Sequence, residues 1–305
     1  QAVNRMMDRI TGAYSLVVMS SRKLIAARDP WGFRPLCIGK RDDSIIFASE
    51  SCALDSVGAT FIRDVEPGEV VYVDIDGQLK SIKEHCGKEK KGMCIFEYIY
   101  FARPDSIIDG QSVYDARILA GQLLAKSHPI DADIVIGVPD SGLTAAKGYS
   151  LESGIPYFDG FIKNRYIART FIKPTQDSRE KAVQIKLNPL KSTVSGKRVI
   201  MIDDSIVRGT TSKQIISLLR QAGAKEVHFL SSAPPFISPC YFGTDIPSKK
   251  ELMACHYSIE EMRNLLGADS LGFLNVEDVQ KIAPNCAGGF CAGCFSEKYP
   301  VRTEY

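Results

Sequence analysis

The chain is 305 residues long, with 38 Lys and Arg against 36 Asp and Glu and 45% hydrophobic residues. That length suggests about two domains with ample core, and the near-neutral balance implies no general affinity for nucleic acid or for a membrane surface. No apolar run reaches membrane-spanning length and no secretory signal pattern is seen, so the nine cysteines point to a reducing, cytoplasmic setting. In such a setting clustered thiols bind metal more often than they pair. The chain opens on Gln1 rather than Met and is expected to be a fragment or a processed product.

Up to about Lys83 the pattern is β-rich. Ala13–Met19, Lys23–Ala27, Leu36–Gly39, Ser44–Ser49 and Glu69–Asp74 read as short strands, with Asp42-Asp43 and Asp76-Gly77 as hairpin turns. This spacing predicts an antiparallel sheet or half a sandwich, and Lys83–Lys91 reads as a charged linker. From about Cys94 the rhythm becomes helix and strand in alternation. Helices are predicted over Val113–Lys126, with Ile118, Leu119, Leu123 and Leu124 inward, and over Leu143–Leu151. Strands are predicted at Ile134–Val138, Ile155–Phe158, Val199–Ile202 and Val227–Leu230. Such alternation implies a parallel sheet with helices on both faces, and ligands at the carboxyl ends of its strands.

The most informative stretch is Val199–Ser212, an apolar run that ends in Asp203-Asp204 and a small-residue turn before a helix. Ile215, Ile216, Leu218, Leu219 and Ala222 form one stripe of that helix, with Gly223 as a stop. Thr211 and Gln214 have capping-box spacing, which starts the helix just after Gly209. Ser205–Thr211 then lies at a helix N-terminus, where free N–H groups, hydroxyls and the positive dipole end suit a phosphate. The two acids can accept hydrogen bonds from vicinal sugar hydroxyls or hold a hydrated Mg²⁺. Together these are the parts of a ribose 5-phosphate site; the bland alternative is a strand–turn–helix with a surface acid pair.

Val138–Gly142 follows another strand, and its Asp140, Ser141 and Gly142 let backbone and metal ligands approach a pyrophosphate. Lys163–Lys173 carries four cations, including Lys163, Arg165 and Arg169, beside Tyr166. It opens a patternless loop that could close over a bound pyrophosphate, or simply be a solvated basic loop. Asp109 and Lys186–Leu190 show no chemistry and read as structural. Cys291-Ala-Gly-Cys294 is a C-x-x-C whose candidate neighbours are Cys94, Cys240 and Cys286. Four thiolates suit Zn²⁺ or a [4Fe-4S] cluster, and a metal-free loop is a third option. Cys37, Cys52, Cys86 and Cys255 read as small apolar residues.

The Asp203–Ser212 string resembles the phosphoribosyl pyrophosphate (PRPP) motif of type I phosphoribosyltransferases. Cys94–Ser106, Lys163–Phe171, Ile202–Thr210, Pro239-Cys240 and Gly293–Pro300 resemble the glutamine phosphoribosylpyrophosphate amidotransferase family over nearly the whole chain. Ile10–Ser15, Arg28–Leu36 and Phe47–Ser51 resemble the second half of a class II glutaminase domain. The resemblance implies an α/β and α+β chain in three parts. Residues 1–88 would be an incomplete, β-rich glutaminase domain of the N-terminal-nucleophile type. Residues 89–265 would be a type I phosphoribosyltransferase domain with a parallel sheet, and 266–305 a C-terminal segment with cluster cysteines.

It also implies a pentosyltransferase of purine synthesis. PRPP and glutamine, or ammonia, would give 5-phosphoribosylamine, glutamate and pyrophosphate, the first step toward IMP. Asp203, Asp204, Ser205, Val207, Arg208, Gly209, Thr210 and Thr211 would bind PRPP with Asp140, Ser141 and Gly142. Ser141, Asp203 and Asp204 would hold one Mg²⁺ per subunit. Cys94, Cys240, Cys291 and Cys294 would hold one [4Fe-4S] cluster, and Cys286 stands where that branch can carry a further cysteine. The glutaminase nucleophile is a terminal cysteine in that type. With Gln1 first, no glutaminase residue is assigned and ammonium-supported turnover is expected. Arg28–Gly32 reads as a turn with a structural ion pair. Purine nucleotides as feedback inhibitors and a homodimer or homotetramer are further implications. A non-catalytic PRPP-binding purine regulator is the main rival reading, although no basic DNA-binding segment supports it.

Overall fold

The computed structural model describes residues 2–164, 187–246, 248–286 and 288–301. Two compact units interleave along the sequence, which crosses the sequential boundaries at 88 and 265. One comprises Gln1–Ala116, Cys240–Pro247 and Ala283–Tyr305; the other comprises Arg117–Pro239 and Ser248–Ile282.

The first unit opens with α1 (Ala2–Met7), then β1 (Ser15–Met19), β2 (Leu24–Arg28), β3 (Cys37–Arg41) and β4 (Ser44–Ala48). It continues through α2 (Ser51–Ser56), β5 (Thr60–Asp64), β6 (Val70–Val73) and β7 (Leu79–Ile82). Two antiparallel sheets result, ordered β1-β2-β6-β7 and β4-β3-β5. Ala26 and Val71 from one sheet and Ile38 from the other are buried together with Leu36 and Val65. The antiparallel pairing expected from strand spacing is therefore present, as two sheets sharing one core in place of a single sheet or half a sandwich. Asp42 (φ 51°) and Gly77 (φ 74°) take the left-handed backbone that tight hairpins require. The Arg28–Gly32 turn closes through Gly32 N–H to Asp29 O (2.9 Å). Its ion pair is made elsewhere: buried Arg28 is bidentate to Asp109 (2.9 and 3.0 Å), and Lys91 joins at 2.8 Å. That contact gives Asp109 its structural role. A short β8 (Gly92–Cys94), a π-helical turn (Glu97–Phe101), and the pair β9 (Ile107–Ile108) and β10 (Gln111–Ser112) follow.

The second unit takes most of α3 (Val113–Ser127) and then β11 (Ile134–Gly137), α4 (Gly142–Ser153), β12 (Phe161–Lys163) and β13 (Leu187–Pro189). Next come α5 (Lys191–Val194), β14 (Arg198–Asp203), α6 (Thr210–Gln221) and β15 (Glu226–Ser231). The unit ends with α7 (Ile259–Leu266), β16 (Ser270–Phe273) and α8 (Val276–Val279). Its sheet runs β11-β14-β15-β16 with every pairing parallel. On one face Val199, Met201, Val227 and Phe229 pack with Ile215, Ile216 and Leu219 of α6 and Met262 and Leu266 of α7. On the other, α4 packs on β11 and β14. Ile155–Phe158, expected as a strand, makes a single parallel bridge, Val135 to Tyr157. Pro156 has no N–H to give a ladder there.

Two helix expectations are corrected. The fully buried side of α3 is Ala116, Arg117, Ala120, Gly121 and Leu124, while Ile118, Leu119 and Leu123 are half-buried. The reason is a close crossing: a Cβ on Gly121 would lie 1.9 Å from the Ala145 carbonyl oxygen, and one on Gly148 would lie 2.0 Å from that of Ile118. The Thr211/Gln214 capping box is not formed. Gly209 is the N-cap (φ 76°) and no side chain caps the helix. Thr211 is already inside the first turn, so its hydroxyl cannot take the cap position. The chain then returns to the first unit through β17 (Gly289–Cys291), parallel to β8, and α9 (Gly293–Ser296).

Candidate functional site

The sequence places Asp203 at the last residue of β14, and the parallel sheet brings the end of β11 beside it. Val138 N–H donates to Ile202 O (2.9 Å), so the Pro139–Gly142 loop leaves the sheet next to the acid pair. The two loops touch directly, since a Cβ on Gly142 would sit 2.3 Å from Ile202 O and 3.1 Å from Asp203 Cα. Only glycine permits that approach. The Pro139–Asp140 peptide in this loop is cis.

Asp204 ties the loops together. Its carboxylate accepts the Ser141 hydroxyl on one oxygen and the Ser205 hydroxyl (2.5 Å) on the other. Asp203 accepts the Asp204 N–H (2.8 Å). Burial pushes the Asp203 carboxyl well above the usual carboxylate range, and the neighbouring Asp204 charge adds to this. Asp204 is also raised by burial, and the Ser141 and Ser205 hydroxyls oppose the rise, helped by the charge of buried Arg117. Arg117 was missed in the sequence, where its place on a helical face gives no sign of the acids it serves. Two crowded carboxylates and a serine hydroxyl form an all-oxygen donor set of the kind Mg²⁺ prefers, and a divalent cation would relieve their repulsion. Among the described residues no three His, Cys, Asp or Glu side chains are already arranged around a metal position.

The turn that follows is an amide cradle. Among the described residues, no protein group accepts the backbone N–H of any residue from Ser205 through Ser212. The first helical bond of α6 is Lys213 N–H to Gly209 O (2.9 Å). Left-handed Gly209, packed against Met253 and Leu266, turns the chain from β14 into α6. Val207 O accepts Met253 N–H (2.9 Å), and Thr210 and Thr211 are exposed at the mouth. Free amides at a helix start with its positive dipole end make an anion site. Arg208 is turned aside, its guanidinium paired with Glu251. Lys163 on β12 pairs with Asp140 of the facing loop. Arg165, Tyr166 and Arg169 lie outside the described residues, as do the other residues from 165 to 186, which include the rest of the closing segment expected through Lys173.

The first unit holds the thiol group. β8 and β17 pair so that Cys94 and Cys291 stand opposite one another. Cys294 follows on α9, and the Cys240 sulfur accepts N–H bonds from Phe242 (3.3 Å) and Thr244 (3.4 Å). Burial pushes the Cys94 thiol up to about 12 and the Cys291 thiol up to about 11. Cys294 is raised by burial and then by the nearness of Cys94, Cys291 and Cys240. Cys291 is buried and Cys94, Cys240 and Cys294 are half-buried. Four soft donors suit an iron–sulfur cluster or zinc by their chemistry, and among the described residues no three of them are already arranged around a metal position. Cys286 is buried, and the neighbouring Lys91 and Tyr98 side chains oppose the rise that burial gives its thiol.

Comparisons with known proteins agree with this anatomy. A phosphoribosyl transferase domain model matches residues 106–234, and a glutamine amidotransferase domain model matches residues 1–56. An amidophosphoribosyltransferase of Methanocaldococcus jannaschii is 48% identical over 319 aligned residues, covering 100% of this chain and 67% of the relative. One from Archaeoglobus fulgidus is 49% identical over 302, covering 98% of this chain and 66% of its own length. The solved structure of glutamine PRPP amidotransferase from Bacillus subtilis, complexed with ADP and GMP, superimposes with a TM-score of 0.89 at 47% identity. That match covers 98% of this chain and 66% of that one, so the chain spans about two thirds of the length of these three relatives.

Proposed function

Since the chain belongs to the amidophosphoribosyltransferase family, we propose that it transfers the phosphoribosyl group of PRPP to ammonia. The products would be 5-phosphoribosylamine and pyrophosphate, the first step of de novo purine synthesis. The observation that carries this reading is the run of unclaimed amides from Ser205 to Ser212 directly beside the Asp203–Asp204 pair. The amides and the hydroxyls of Ser205, Thr210 and Thr211 hold the 5-phosphate. Asp203 accepts the ribose hydroxyls, and Asp204 keeps the Ser141 and Ser205 loops in register. The Pro139–Gly142 loop receives the pyrophosphate, with Lys163 at its edge. A Mg²⁺ ion held by Asp203, Asp204 and Ser141 would supply further charge neutralisation at the pyrophosphate.

Loss of pyrophosphate leaves positive charge on C1 and the ring oxygen, so placed charges contribute more than proton transfer. Ammonia then attacks C1 with inversion and needs no strong base if it arrives unprotonated. Where glutamine serves as the ammonia source, glutamate would be a further product. We read the four thiols as ligands of one structural or oxygen-sensing [4Fe-4S] cluster per chain. The ADP and GMP in the Bacillus subtilis structure favour purine nucleotides as feedback inhibitors. Cytoplasmic location and a homodimeric or homotetrameric assembly belong to the same proposal. Among the described residues no helix is long and apolar enough to cross a membrane.

The test is pyrophosphate release from PRPP by the 305-residue chain, with Mg²⁺ and ammonium. Release that rises with ammonium concentration is the expected result. PRPP binding without turnover, in a chain whose circular dichroism shows it folded, would favour the regulator reading instead.

A further inference from the structure

The Arg28–Leu36 segment takes no part in the sugar-phosphate site, yet it wraps the thiol group. Gly92 N–H donates to Trp31 O (2.8 Å) and Cys94 N–H to Phe33 O (3.1 Å), so the segment runs alongside β8. Fully buried Phe33 stacks on Phe242 with ring centroids 4.3 Å apart, and both pack with Cys291 and Cys240. Arg34, the next residue, is held at both ends. Its Nη1 donates to Glu97 (2.6 Å) and its Nη2 to Phe242 O (2.8 Å), with the Phe101 ring 5.1 Å from the guanidinium carbon. Phe242 is also the residue whose N–H donates to the Cys240 sulfur. The Arg34 charge acts most on Cys94 and less on Cys240 and Cys291.

We infer that Arg34 is a positioning residue of the four-thiol site, a clamped cation that offsets the negative charge of the thiolates when they ligate a cluster. The inference rests on the iron–sulfur reading of those thiols. Buried negative charge without a nearby cation is costly, and arginine suits the task because its planar fork can be fixed by two partners and stays charged. Flexible surface cations lose most of their influence to solvent screening; Arg34 has a side chain only 19% exposed. Glu97 has two opposing effects. It orients the guanidinium, and its own carboxylate, 8% exposed, cancels part of the field that the thiolates feel.

This division of roles gives a test in which electrostatics and mere scaffolding differ in sign. The full chain, purified and reconstituted without oxygen, is assayed for iron and sulfide per chain. The cluster midpoint potential is then read by redox titration followed by electron paramagnetic resonance. Reduction adds negative charge, so Arg34→Met should move the midpoint negative and Arg34→Lys should restore part of the shift. Glu97→Gln, which leaves the cation in place and removes the competing carboxylate, should move it positive. Arg34→Met should also lose its iron to about tenfold less chelator, the scale usual for residues that support metal ligands. Shifts of the same sign in the Arg34→Met and Glu97→Gln proteins, or no shift in either, would overturn the inference. If Arg34→Met does not fold, Arg34→Lys and Glu97→Gln still give the two signs. Unaltered chain that takes up no iron or sulfide would instead overturn the cluster reading itself, and the inference with it.

Discussion

Asp203→Asn should lower PRPP-dependent pyrophosphate release by about 10²–10³-fold, the usual effect of removing one preorganised charge or donor from a transition-state site. Asn keeps the shape and can still accept the Asp204 N–H that Asp203 now takes at 2.8 Å. What it loses is the anionic charge that grips the ribose hydroxyls and faces the charge developing at C1. Stability should move the other way. The Asp203 carboxyl is raised by burial and then by Asp204. A group raised in the folded state favours folding only when protonated, at low pH, and that contribution is lost as pH rises through the folded value. At neutral pH, where the carboxyl of the unfolded chain is ionised, burial of this group therefore opposes folding, and Asn removes the opposition. Kinetics and thermal melting of the same protein check both halves. A Tm that falls by several degrees with an unchanged rate would mean Asp203 is a structural acid.

Gly148→Ala should destabilise the second unit by about 3 kcal/mol, at the upper end of ordinary overpacking costs. Helix propensity alone argues for a gain of about 1 kcal/mol when alanine replaces a helical glycine. Contact geometry decides against propensity here. The added Cβ would stand 2.0 Å from the Ile118 carbonyl oxygen, and backbone cannot move aside as a flexible side chain can. Gly121→Ala should act alike, since its Cβ would meet Ala145 O at 1.9 Å. For a unit of this size the loss corresponds to a Tm lower by roughly 6–12 °C. Turnover should fall as well, because α4 carries the Pro139–Gly142 loop at its start. Thermal melting by circular dichroism reads the first effect; a Tm equal to or above that of the parent would show that the two helices can separate at little cost.

The strand, turn and helix around Asp203 were legible because their signals are local. A β-branched run, two acids and a glycine turn lie within fourteen residues, and the backbone follows them with helix ends shifted by a residue or two. β5 was not legible: Thr60-Phe61-Ile62 is exposed on both faces, so no alternation marks it. β7, Leu79-Lys80-Ser81-Ile82, is too short and polar to stand out. α3 was found, but its inward face was misread, because Ala116, Ala120 and Gly121 are chosen for closeness to α4 and not for hydrophobicity. In the thiol group, pairing of Cys94 with Cys291 comes from parallel strands nearly 200 positions apart, which no local pattern encodes. Arg34 and Arg117 escaped for the same reason. Each serves partners that only the fold brings near.

The most direct test of the account is an amide-resolved NMR titration of the 305-residue chain with PRPP and Mg²⁺. Saturable shifts of the Ser205–Ser212 amides, abolished or greatly weakened in the Asp203→Asn protein, are the predicted result. PRPP binding that leaves those amides unmoved and shifts another part of the chain would contradict it.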